Sequence, residues 1–72
     1  IDVVGIKGEN VDLIEIKPRA GFSCCGQVCC YRHLWLRDIA NTPELRAVII
    51  TDEIRPDMEH IASCMDLVLI KV

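Results

Sequence analysis

Two β-rich runs of equal length, residues 1–7 (IDVVGIK) and 11–17 (VDLIEIK), flank Gly8, Glu9 and Asn10, and this arrangement constrains the fold more than any other feature of the chain. A two-residue turn at Gly8-Glu9, with glycine first, has the type II′ pattern, whose twist suits the strands it joins. That turn sets Lys7 opposite Asn10 and Asp2 opposite Glu15, with Lys17 on the same face. A three-residue loop without a bulge would set Asp2 against Ile16 and turn it away from Glu15, because a slip of one residue reverses every side chain. Turn chemistry favours the first register.

Beyond the hairpin, residues 18–25 (PRAGFSCC) contain Pro18 and Gly21 and read as a connection. From Gly26 to about Ala40, Val28, Tyr31, Trp35 and Ile39 recur at helical spacing. Asn41 suits the helix end, and Thr42-Pro43-Glu44 suits a short turn. Residues 46–51 (RAVIIT) form an uninterrupted run of the kind found in a central strand buried on both faces. Pro56 opens a second helix whose apolar face carries Met58, Ile61, Ala62 and Met65 and which ends near Asp66. Leu67 to Val72 completes the pattern as a strand. The expected order is β-β-α-β-α-β in one α/β domain spanning residues 1–72, with a right-handed crossover between the third and fourth strands.

A chain of 72 residues buries only about 60% of the surface its unfolded form exposes. Hydrophobic residues make up 51% of it, yet Phe22, Tyr31 and Trp35 are the only aromatics, so the core must be aliphatic and sulfur-rich. The strand-like start at Ile1 reads as an excerpt. No apolar run approaches the roughly 18 residues of a membrane span, and no signal peptide is recognisable, which leads to an intracellular, cytoplasmic expectation without membrane association. The net charge of −3 gives no overall attraction to nucleic acid, although Lys7, Lys17, Arg19, Arg32 and Arg37 offer a local basic patch. The cysteines number five, an odd count in core-like surroundings, so reduced and largely buried thiols are expected.

In the favoured register two carboxylates oppose one another, which costs up to about 1 kcal/mol relative to neutral partners. A divalent cation would compensate. Hard oxygen ligands suit magnesium or manganese, which polarises a phosphate and acidifies a bound water, and the Lys17 ammonium sits on the same side to assist.

The pattern D-x12-E-I-K across a hairpin, formed by Asp2, Glu15, Ile16 and Lys17, resembles the PD-(D/E)XK nuclease superfamily. Gln27 and Tyr31, a Q-x-x-x-Y motif on the following helix, resemble the RecB-like branch. The resemblance implies a restriction-endonuclease-like core that hydrolyses phosphodiester bonds of DNA with Mg2+ or Mn2+. It assigns Asp2 and Glu15 as metal ligands, Ile16 as a main-chain ligand, and Lys17 as the catalytic lysine. Gln27 and Tyr31 share a helical face and would steer substrate, and Arg19 would contact phosphate. The chain departs from the family in lacking the usual N-terminal helix and strand, and in carrying Ile1 where the motif has proline. A homodimer or larger nuclease assembly would suit such a reduced core.

The alternative is a non-catalytic α/β interaction or nucleic-acid-binding module of the same fold. A receiver-like domain fits less well, because such folds begin β-α-β. The run C-C-G-Q-V-C-C reads as buried thiols before an iron-sulfur or zinc site, since adjacent cysteines on one helix converge poorly on a metal. His33 and His60 lie on different helices and read as surface residues.

Overall fold

Alternation along the second run carries directly into structure: Val11, Leu13 and Glu15 are buried, whereas Asn10 and Ile16 are exposed, the period of a strand with one covered face. The computed structural model describes residues 2–39, 42 and 44–72. Its elements are β1 (Val3–Lys7), β2 (Asn10–Ile16), α1 (Phe22–Asp38), β3 (Glu44–Thr51), α2 (Pro56–Cys64) and β4 (Leu67–Lys71). They form a small α/β fold with one mixed sheet in the order β1-β2-β3-β4. The β1–β2 pair is antiparallel, and the β2–β3 and β3–β4 pairs are parallel.

Gly8 takes φ 62° at the tip of the hairpin, the left-handed conformation that the first position of a II′ turn requires and that glycine adopts without steric cost. The register follows from that turn. Lys7 pairs with Asn10 and Val3 with Ile14, the register that the turn chemistry implies, and beyond Val3 the Asp2 N–H turns to the Ile14 carbonyl.

Helix α1 begins at Phe22, four residues earlier than the periodicity from Gly26 suggests. Ala20, Cys24 and Val28 are spaced by one turn and all buried, so burial against the sheet recruits a segment that Pro18 and Gly21 mark as a connection. Pro56 sits in the first turn of α2, where its missing N–H costs nothing. The expected helix end at Asn41 and the turn at Pro43 lie outside the described residues, and Glu44 opens β3.

Both helices pack on one face of the sheet. Their core joins Ala20, Cys24, Cys25 and Val28 to Ala47, Ile49, Met58, Ala62 and Leu67, and the Cys25 and Met58 sulfurs meet at 3.8 Å between the helices. The reason is topological: the crossovers β2-α1-β3 and β3-α2-β4 step in the same direction with the same right-handed sense. Strand β3 is therefore not sandwiched between two layers, as its apolar run suggests. Its opposite face carries Arg46, Val48 and Ile50, and only Val48 is fully closed off, by neighbouring side chains.

Candidate functional site

The carboxyl ends of β2 and β3 lie at the same edge of the sheet as the start of β1, because β1 runs antiparallel to its neighbour. Crevices outside the carboxyl ends of parallel strands are where open α/β sheets bind ligands. Asp2, Glu15 and Lys17 all fall at this edge, beside the N-terminus of α1.

Asp2 is exposed and closes the hairpin beyond its last paired residues. Its N–H donates to the Ile14 carbonyl at 3.1 Å, and its Oδ2 accepts the Ile16 N–H at 2.8 Å. The N–H and carbonyl of one residue in a strand point to the same side, so the Ile16 carbonyl also faces the β1 edge. Its side chain lies on the bare face of the sheet, 50% exposed. Glu15 is 5% exposed and points into the helix layer. Lys17 is exposed, anchors its backbone N–H on the Ile50 carbonyl at 3.0 Å, and makes no ion pair among the described residues.

Cys24, in the first turn of α1, feels the charges at this edge. Burial pushes its thiol up, the Glu15 carboxylate and Cys25 push it further, Lys17 opposes, and Asp2 adds a smaller push. Cys24 is a buried thiol beside this edge, which the sequence expectation did not include. The Ala20, Cys24, Val28 spacing is the signal that could have found it.

The other expected residues are placed less uniformly. Gln27 is exposed three residues, about 4.5 Å of rise, beyond Cys24. Tyr31 lies a further turn away, half-buried, and lines a small cleft with Leu34, Trp35, Asp38 and Ile39. Arg19 is 86% exposed at its side chain and stands 3.9 Å from Glu53. It shares a cleft of about 230 Å³ with Ala20, Glu53 and Arg55. Arg55 was not anticipated; it leads into α2 and its guanidinium lies against Gly21 at the start of α1.

The wider basic patch does not form. Arg32 donates to the Met65 and Asp66 carbonyls, both at 2.7 Å, and Arg37 bonds Asp38. Lys7 sits at the opposite end of the hairpin from Lys17.

Thr51 holds the edge together. Its buried hydroxyl accepts the Ala20 N–H at 3.1 Å and donates to the Pro18 carbonyl at 3.1 Å, tying the loop that follows Lys17 to the end of β3.

Among the described residues no group of three or more His, Cys, Asp or Glu side chains is placed to hold a metal. Two carboxylates with one main-chain carbonyl form a smaller, all-oxygen set, which in its chemistry fits a hard divalent cation with open coordination positions. All five cysteines are free, with Cys24 and Cys25 buried and Cys30 and Cys64 exposed. Among the described residues no helix is long and apolar enough to cross a membrane. No protein-family model, no curated protein and no solved structure matches the chain.

Proposed function

We propose that this chain is a restriction-endonuclease-like, metal-dependent nuclease core that hydrolyses phosphodiester bonds of DNA. What supports the reading is that Asp2, Glu15 and Lys17 all lie at the carboxyl edge of the sheet, with Oδ2 of Asp2 on the Ile16 N–H between the other two. Asp2, Glu15 and the Ile16 carbonyl would hold Mg2+ or Mn2+. When bound, that ion supplies charge neutralisation at the phosphate and a more acidic water.

The chain's own groups do the rest. One oxygen of Asp2 is held by the Ile16 N–H, which leaves Oδ1 directed by a fixed carboxylate. Lys17, unpaired among the described residues, donates a hydrogen bond to the attacking water or to the charge that develops on the phosphate. Water adds to phosphorus, the bridging P–O bond breaks, and the leaving oxygen takes a proton. Arg19 and Arg55, which share a cleft, would hold a neighbouring phosphate, and Gln27 would orient the strand from α1.

Incubation of single- and double-stranded DNA with magnesium, with chelator, and with the Glu15→Ala variant tests this. Cleavage in the first condition alone is expected, and equal activity in all three overturns the reading.

A second reading, a non-catalytic interaction module, is favoured by the bare apolar face of the sheet. On that reading manganese leaves the resonances around Asp2 and Glu15 unchanged.

A further inference from the structure

The face of the sheet turned away from the helices is apolar along one half and charged along the other. Pairing places Val3, Ile14, Val48 and Val68 in one continuous row across all four strands. The next row toward the carboxyl edge is Ile16, Ile50 and Ile70. Of these residues Val3 is 43% exposed, Ile16 50% and Ile70 42%. Parallel strands are as a rule covered on both faces, and a contiguous exposed apolar patch marks an interaction surface.

From this face we infer that the chain forms a two-fold homodimer by stacking the bare faces of two copies, about an axis that runs between β2 and β3. An isologous contact must be self-complementary, and the charged row meets that condition. Arg46 on β3 forms a bidentate pair with Asp12 on β2, at 2.9 and 2.8 Å. A two-fold axis between these strands lays Asp12 of each copy over Arg46 of the other, an alternating arrangement of four charges. Arg46 remains 57% exposed at its side chain, so donors not used within the chain are free to reach across.

The same axis stacks the apolar row on itself, with Ile14 over Val48 and Val3 over Val68. Four strands about 4.8 Å apart, with a rise of about 3.3 Å per residue, give a face roughly 20 Å on each side. That is several hundred Å² of accessible surface, the order needed against the roughly 800 Å² per subunit of a standard interface. The dimer is therefore concentration-dependent. Glu15 points into the helix layer and Asp2 and Lys17 lie at the carboxyl edge, away from the Asp12–Arg46 row, so this inference stands apart from the nuclease reading.

Sedimentation equilibrium of the whole chain over a wide concentration range tests it, with circular dichroism to verify folding. The wild type is expected to pass from monomer to dimer. Val3→Lys is expected to weaken association at least tenfold. Asp12→Lys and Arg46→Glu, each folded and each alone, are expected to remain monomeric because like charges then meet across the axis. Mixed together, these two variants are expected to associate with each other, because a wholly positive row then faces a wholly negative one. A wild type that stays monomeric overturns the inference and leaves the face to another occupant. Folded single-charge variants that dimerise like the wild type, or a mixture that fails to associate, overturn it as well.

Discussion

The Ile16 N–H donates to Oδ2 of Asp2 at 2.8 Å, so the first acidic residue of the hairpin is tied to the strand that carries the second. The bond serves structure and the candidate site at once, and substitution separates the two roles. Asp2→Asn keeps an acceptor for Ile16 and removes the charge. It is expected to retain stability within about 0.5 kcal/mol while lowering manganese affinity and DNA cleavage at least tenfold. Asp2→Ala is expected to lose about 1 kcal/mol in addition, the usual net worth of a hydrogen bond. Urea denaturation beside a manganese titration measures both, and equal metal affinity in Asp2→Asn and wild type would remove Asp2 from the site.

Gly8 at φ 62° fixes the turn, and hence the register. Gly8→Ala forces a Cβ into a left-handed conformation that costs roughly 1–2 kcal/mol. A lower denaturation midpoint with an unchanged slope is the expected result. An unaltered midpoint would mean that the turn does not need glycine.

Thr51→Val removes a hydroxyl that bonds both the Ala20 N–H and the Pro18 carbonyl. Leaving a buried N–H without its acceptor costs about 1–3 kcal/mol. Because that hydroxyl tethers the loop bearing Arg19, DNA affinity should fall with stability, and Thr51→Ser should restore both. Binding is measured by fluorescence anisotropy in calcium, which holds DNA without turnover. Failure of serine to rescue would point to the lost methyl instead.

Burial raises the thiols of both Cys24 and Cys25 above their ordinary value of 9.0. A raised value means that the folded chain keeps its protons while the unfolded chain releases them. The corresponding stability is complete below pH about 9 and is lost as pH rises through the folded values. Thermal melts are expected to hold up to pH about 9 and to fall above it. The Cys24→Ala, Cys25→Ala variant, although less stable at every pH, is expected to show a flatter decline. Parallel declines would assign the alkaline loss to other groups.

Much of the fold was legible because its strongest signals are local. Gly8-Glu9, the β-branched runs and Pro56 each dictate backbone geometry without reference to the rest of the chain. The start of α1 was not legible, since Pro18 and Gly21 look like a loop until burial of Ala20 and Cys24 under the sheet outweighs them. The bare face was hidden for a similar reason. The run from Arg46 to Thr51 reads as buried on both sides, but the direction of the two crossovers decides where the helices go, and that is a property of strand order. In the hairpin, the register from Lys7–Asn10 to Val3–Ile14 followed from turn arithmetic. Cys24 and Arg55 reach the carboxyl edge of the sheet only through tertiary packing; the spacing of Ala20, Cys24 and Val28 hints at the first, and no local pattern announces Arg55.

Single-turnover cleavage of DNA by the wild type, Glu15→Gln and Lys17→Ala, each with magnesium and with chelator, bears most directly on the central proposal. The expected result is cleavage by the wild type in magnesium only, with a loss of about 100-fold or more in either variant. Manganese affinity should be reduced in Glu15→Gln and retained in Lys17→Ala. Identical rates in all three proteins, or cleavage that survives the chelator, would contradict a metal site built on this hairpin.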